Sequence, residues 1–229
     1  MKTIIIILFL FTSIGFAQNQ NTFSIAAYYS YTTSSKLFLQ PNSSDPFVRG
    51  THEKLDDLYG YTVEIRYKLL ESIHIGIGSE LLEKTIDNHN FSLAGRWTVK
   101  DGYRMIPIEL SLYYLLPFST SKFNFFMGGG GGVYFGKHIR QLGDVSVELE
   151  EIKTGYGIHA IVGMEYFINK YLSVRGQMRF RDAEFEMKNR YSNRIVNYHG
   201  NTYLLSSDTF SSKVNVDGVT FMMGLVFNL

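Results

Sequence analysis

The 229-residue chain contains no cysteine. That excludes disulfide staples, thiol catalysis, thiolate metal sites and lipid attachment through an N-terminal cysteine. Neither sign of charge dominates: 22 basic against 21 acidic residues leave a formal +1. Electrostatics therefore point to neither nucleic acid nor an anionic surface. Proline is scarce at 4 residues, whereas aromatics make up 15% and glycine numbers 21. That mix favours β structure rich in tight packing and turns. Long hydrophobic runs are missing too. The longest, Ile4–Phe11, is too short to cross a hydrocarbon core of ~30 Å as a helix.

That run belongs to a secretory signal. Lys2 supplies a short positive region, and Gly15-Phe16-Ala17 is a small-x-small cleavage site before Gln18. Residues 1–17 are thus a leader and 18–229 one domain. An exported chain without a membrane helix is either soluble and secreted or a β-barrel.

Tyr59–Leu69 carries the pattern on which the rest depends. Tyr59, Tyr61, Val63, Ile65, Tyr67 and Leu69 alternate with Gly60, Thr62, Glu64, Arg66 and Lys68. A strand sends successive side chains to opposite faces, so one face is apolar and the other ionic. A soluble sandwich would bury the apolar face, whereas a membrane barrel turns it to lipid. Seven further runs alternate: Thr22–Tyr31, a run from Ile73, Tyr103–Leu116, Phe123–Gly136, Thr154–Ile168, Tyr171–Asp182 and Gly218–Leu229. Polar connections 32–58, 84–103, 137–153 and 183–213 read as long loops, and Leu70–Ser72, Pro117–Lys122 and Asn169-Lys170 as short turns. A bulge is expected after Leu81-Leu82. Long and short connections alternate, as in outer-membrane barrels, where turns face the periplasm and loops the exterior. Aromatics gather at two levels, with Tyr29, Tyr31, Tyr59, Phe135 and Phe221 at one and Tyr67, Phe123, Tyr166, Tyr171 and Phe227 at the other. The expectation is an eight-stranded antiparallel up-and-down transmembrane β-barrel with both termini in the periplasm. A soluble lipocalin-like carrier is the alternative if the apolar faces turn inward.

The last strand, Gly224-Leu225-Val226-Phe227-Asn228-Leu229, resembles the C-terminal assembly signal of bacterial outer-membrane proteins. It departs from that signal in ending on Leu229 and in placing Met222 at its polar position. Residues 18–229 as a whole resemble the small outer-membrane β-barrel or porin-family proteins, the OmpX-like and OmpW-like groups. The resemblance implies outer-membrane location, lipid contact and recognition of Gly224–Leu229 by the barrel-assembly machinery. Ending at an eighth strand, the chain is expected to lack the peptidoglycan-binding domain of larger relatives.

By parity the inward face collects Glu64, Arg66, Lys68, Glu80, Glu109, Glu165, Arg175, Arg179 and Arg181. An eight-stranded barrel is just wide enough for side chains to fill. These nine groups are expected to form a structural network of ion pairs, or else to line a narrow solute path. Gly131–His138 nearly matches a phosphate-binding loop, yet His138 replaces the required Ser or Thr and no amphipathic helix follows. The glycines are better explained by letting the strand bend or pack closely against large inward side chains. His74 and His159 face inward. A lipid-modifying hydrolase would need a nucleophile, a base and an orienting acid in mutual contact, and no serine is expected beside either histidine. His52, His89, His138 and His199 fall in or beside loops and are expected to be solvated. Phe38, Phe47, Phe91, Trp97, Tyr198 and Tyr203 lie among polar loop residues, where they pack the loops or meet a ligand. No cofactor, metal or nucleic acid is expected. Function is expected to be non-enzymatic, structural or surface-interacting, with a channel for a small or apolar solute as alternative and a lipid-modifying enzyme as a further one.

Overall fold

The computed structural model describes residues 22–92, 95–205 and 207–229, so the expected leader lies outside the described residues. The elements run β1 Phe23–Phe38, α1 Pro46–Gly50, β2 His52–Leu70, β3 Ile73–Ser92, β4 Gly95–Leu115, β5 Phe123–Leu142, β6 Val145–Ile152, β7 Gly155–Phe167, β8 Leu172–Tyr191, β9 Ile195–Tyr198, β10 Asn201–Leu204, β11 Thr209–Val216 and β12 Val219–Asn228. All pairings are antiparallel and close a ring of 8 strands. Two positions in the ring are occupied by strands broken once. β6 and β7 both lie between β5 and β8, and β11 and β12 both lie between β8 and β1. The ring closes where β1 pairs β2, with Tyr28 opposite Thr62.

The end with short turns is tightly tied. The Thr22 amide donates to the Leu229 carbonyl at 2.9 Å, and the Leu229 amide to Phe23 at 2.8 Å, so the two chain ends of the barrel meet. The Asn169 side chain accepts from the Tyr171 and Leu172 amides at 2.8 and 2.9 Å, which closes the β7–β8 turn. The bulge expected after Leu82 is absent from the β3–β4 register, which stays constant from Ser79–Ile108 through Leu82–Met105 to Ser92–Gly95. The irregularity lies instead between Lys68 and Leu70 on β2.

The other end differs from the sequence reading. The connections expected as loops are largely strand: β3, β5 and β8 are 20 residues long and β4 is 21. A membrane crossing takes roughly 9–11 strand residues. Each long strand therefore continues about as far again beyond such a crossing. Within the connection 183–213, Ile195–Tyr198 and Asn201–Leu204 pair with each other as the separate hairpin β9–β10.

Polarity reverses along these strands at one level. In the turn-end half, Val63 is 54% exposed and Glu64 3%. Ile65, Leu81, Ile106, Ile108, Leu110, Phe180, Phe221 and Leu225 point outward with Val63. In the loop-end half the rule inverts. Leu55, Leu58, Leu82, Met105, Phe185 and Val214 are buried inside. Their neighbours outside are ion pairs: Glu83 with Arg104, Lys153 with Glu186 at 3.0 Å and Lys213 with Glu184 at 3.1 Å. The switch falls between Leu81 and Glu83 on β3, between Ile106 and Arg104 on β4, and between Phe180 and Glu184 on β8. On β1 and β2 the inward face also slips by one, from Thr32 to Ser35 and from Leu58 to Leu55. Asp57 absorbs the slip in a left-handed conformation, φ 55°, its carboxylate accepting from the Tyr31 hydroxyl at 2.6 Å. Short polar side chains tolerate that region best among residues with a Cβ.

Aromatic rings mark both edges of the apolar band. Tyr31 lies 5.4 Å from Tyr59 and 6.4 Å from Phe221 at the upper edge. Phe23 lies 4.9 Å from Tyr67, and Phe123 4.8 Å from Tyr166, at the lower edge.

Candidate functional site

The interior is layered along the barrel axis. Nearest the turns is a vestibule of about 300 Å³, lined among others by Arg66, Lys68, His74, Asn124 and Asn228. Lys68 pairs there with exposed Glu71 at 2.9 Å. It sits at the mouth and outside the closed ionic layer in which the sequence reading placed it.

The other eight predicted residues converge above the vestibule. β8 supplies Arg175, Gln177, Arg179 and Arg181 on one face, because alternate strand residues share a face. Arg175 clasps Glu165 through two nitrogens, at 2.8 and 2.7 Å, and donates to the Tyr28 hydroxyl at 2.9 Å. Arg179 Nη1 lies 2.7 Å from Glu109, and Arg181 Nη1 2.8 Å from Glu80. Glu80 and Glu109 belong to β3 and β4, across the bore from β8, so these pairs span the lumen. Arg66 joins Glu64 on its own strand and donates to Gln177 at 2.8 Å. Its guanidinium lies 3.5 Å over the Tyr113 ring and 4.6 Å from that of Phe126. Ser30 and Tyr134 hydroxyls donate to Glu80 and Glu109 at 2.7 and 2.6 Å. Four arginines thus meet four glutamates, all buried.

One contact contradicts the sequence reading. Ser111 Oγ lies 2.8 Å from His159 Nε2, although no serine was expected beside a histidine. Ser111 is paired with Gly130 on one side and His159 with Gly130 on the other. The two side chains meet across the missing side chain of Gly130, where a Cβ would overlap the Leu110 carbonyl. The glycine run therefore has the packing role expected of it, and β5 continues as strand where a phosphate-binding loop would need a helix. Glu109 lies 3.9 Å from His159 Nδ1, which completes a serine–histidine–carboxylate constellation. Its members are only 7%, 6% and 4% exposed, and Glu109 is already engaged by Arg179 and Tyr134. Chemistry on a substrate needs a reacting group within hydrogen-bond reach of nucleophile and base. Here the three groups are buried and Glu109 is held by the ionic layer itself.

Above the ionic layer an apolar collar fills the bore: Leu37, Leu55, Leu58, Leu82, Tyr103, Met105, Tyr134, Phe185, Met187, Val214 and Val216. Phe185 has a second place in the wall. The β5–β7 ladder ends at Tyr134–Gly155, and the β5–β6 ladder starts only at Gln141–Ser146. The Phe185 ring packs on Gly136 within this interruption, where a Cβ would collide with it.

A second polar layer follows. His138, expected to be solvated, is buried, with Nε2 3.1 Å from Asp101 Oδ1. Burial pushes the His138 pKa down, against the pull of Asp101. Arg140 Nη1 lies 3.6 Å from the same Asp101 oxygen, and Asn189 donates to Ser212 at 2.9 Å. His52 and His199 are exposed, as expected, and the His89 side chain lies outside the description.

The loop end is capped by the β9–β10 hairpin, whose Val196 packs with Val99, Leu142 and Val145. Asn197 ties the hairpin to Asp144 through backbone and side-chain nitrogens, each at 2.8 Å. Those two bonds lower the Asp144 pKa. Tyr198 accepts from the Thr98 amide at 2.8 Å, and Phe38 stacks near His52 at 5.0 Å, so these two aromatics pack the loop end together. Phe47 on α1 stands apart, fully in solvent. Among the described residues no cluster of His, Asp and Glu has a metal-holding arrangement.

No known family profile matches the chain, and no curated protein matches it in sequence. Solved structures do. The outer membrane protein OprG from Pseudomonas aeruginosa superposes with a TM-score of 0.59 at 15% identity, covering 92% of this chain and 97% of that one. Ail, the attachment invasion locus protein of Yersinia pestis, covers 92% of this chain and 100% of its own at 10% identity and a TM-score of 0.48. The outer membrane protease OmpT from Escherichia coli covers 94% and 99% at 8% identity and a TM-score of 0.46. The similarity to OprG establishes the fold as that of a small outer-membrane β-barrel.

Proposed function

We propose that the chain is a non-enzymatic integral protein of the outer membrane, a closed barrel that lifts an interaction surface beyond the lipid. The observation that carries this reading is the reversal of polarity at one level. A soluble carrier would keep one polarity from end to end. Apolar-out, charged-in walls suit lipid, and charged-out, apolar-in walls suit water. The level where Leu81 gives way to Glu83 then marks the outer lipid boundary. The turns, the start of β1 and the end of β12 face the periplasm, and the extended strands and β9–β10 cap face outside.

In this reading the eight charges of the lumen are structural. They tie β8 to β2, β3, β4 and β7, Arg175 reaching Glu64 on β2 at 3.8 Å, and fill a bore that the collar above closes again. Ser111, His159 and Glu109 belong to that filling. The strand Gly224–Leu229 would serve the assembly machinery, and residues 1–17 would direct export. The test is electrophoresis of detergent-extracted protein with and without boiling. A folded membrane barrel runs anomalously until heated. Protein that stays soluble without detergent, with no heat-dependent shift, overturns the reading.

A second reading, passage of a small apolar solute, is favoured by the interrupted wall between β5 and β6–β7. Phe185 plugs it from inside, next to the apolar collar. Phe185→Ala should then raise uptake of an apolar dye into vesicles at least severalfold. Unchanged uptake removes this reading and leaves the first intact.

A further inference from the structure

A cavity of about 440 Å³ opens at the loop end, between the end of β1 and the start of β11. Leu39, Gln40, Arg140, Tyr191, Thr209 and Phe210 are among its walls. Neither the ionic layer nor the collar accounts for it. Arg140 reaches it because Gly136, His138, Arg140 and Leu142 share the inward parity of β5.

The guanidinium of Arg140 is incompletely answered. Its Nη1 lies 3.6 Å from Asp101 Oδ1, outside hydrogen-bond reach, and that oxygen is nearer to His138 Nε2 at 3.1 Å. The Nε of Arg140 is buried and has no acceptor among the described residues. A buried donor left unpaired is costly, and a charged one more so. Beside it stands an aromatic wall. The Arg140 guanidinium carbon is 5.7 Å from the Phe210 ring centre, and the Tyr191 ring is 4.9 Å from that of Phe210. His138 supports Phe210 edge-on from below at 5.5 Å. Leu39, Gln40 and Thr209 complete the lining.

An unpaired guanidinium N–H calls for an oxyanion, since charge-assisted bonds are about twice as strong as neutral ones. The aromatic and apolar walls call for a flat body behind that oxyanion. We propose that this cavity binds a small organic carboxylate carried on a ring, its oxygens on Arg140 and its ring against Phe210 and Tyr191.

The test uses folded full-length barrel in detergent micelles and fluorine NMR of 4-fluorobenzoate. Saturable broadening of the probe signal is expected, and neutral 4-fluorobenzamide, which reports plain partitioning, should bind at least tenfold more weakly. Arg140→Gln should weaken benzoate at least tenfold while keeping the heat-dependent band shift. Phe210→Leu should weaken it severalfold, and carries the test if Arg140→Gln fails to fold. Non-saturable benzoate, benzamide binding equally, or unchanged binding in a folded variant overturns the proposal.

Discussion

Arg181→Met removes one partner of a pair that spans the bore. Glu80, 1% exposed, would keep the Ser30 hydroxyl at 2.7 Å and a distant Arg179 at 3.6 Å, and lose its only close cation at 2.8 Å. Breaking a buried pair from one side costs about 3–5 kcal/mol, because the remaining charge stays uncompensated. Three kcal/mol is a factor of roughly 150 in the folding equilibrium. Replacing both partners removes the stranded charge, so Glu80→Gln with Arg181→Met should recover more than half of the loss. The assay is guanidinium unfolding of the barrel from lipid vesicles, followed by the heat-dependent gel shift and far-UV dichroism. A double-mutant cycle then yields the coupling directly. An Arg181→Met barrel within ~0.5 kcal/mol of the parent, or strictly additive single losses, would refute the claim that the lumen charges hold the barrel together.

Gly130→Val should cost more than the ~1–3 kcal/mol usual for overpacking, because backbone as well as side chains must move; thermal gel-shift midpoints measure it. Asp144→Ala should free the β9–β10 hairpin without unfolding the barrel, seen as new protease cleavage between 195 and 204 with an unchanged gel shift. Acid should loosen the loop end. His138 is held below its ordinary value of about 6.5, so the unfolded form binds the proton first and stability falls as pH drops from there towards the depressed folded value. His138→Gln should flatten that slope in amide exchange of β4 and β5 measured between about pH 7 and 5.

The turn-end half of the barrel was legible in the sequence because each strand there carries its own record. Val63 beside Glu64, or Leu110 beside Glu109, is enough to assign two faces. The loop-end half misled for a physical reason. A strand whose outer face meets water carries Lys54, Asp56, Glu184 and Lys213 outward, and that composition reads as loop. The signal available was the apolar residue between the charges, as in Leu55 between Lys54 and Asp56 or Phe185 between Glu184 and Glu186. The Ser111–His159 contact was out of reach for a different reason. It joins β4 to β7 over a glycine of β5, and nothing within a single strand records it. His138 went the same way: its partner Asp101 stands one strand away, and Arg140, near that same Asp101, shares its face.

A membrane barrel requires that Val63 meet lipid while Glu64, one residue on, lies inside. Arginine on the lipid face near the bilayer midplane costs about 2–4 kcal/mol. Folding of Val63→Arg into lipid vesicles, scored as the fraction of protein with a heat-dependent gel shift, tests it most directly. Val63→Arg should leave most of the chain unfolded where the parent folds, while Glu64→Gln still inserts with reduced stability. Normal insertion of Val63→Arg, with loss of insertion in Glu64→Gln, would contradict it.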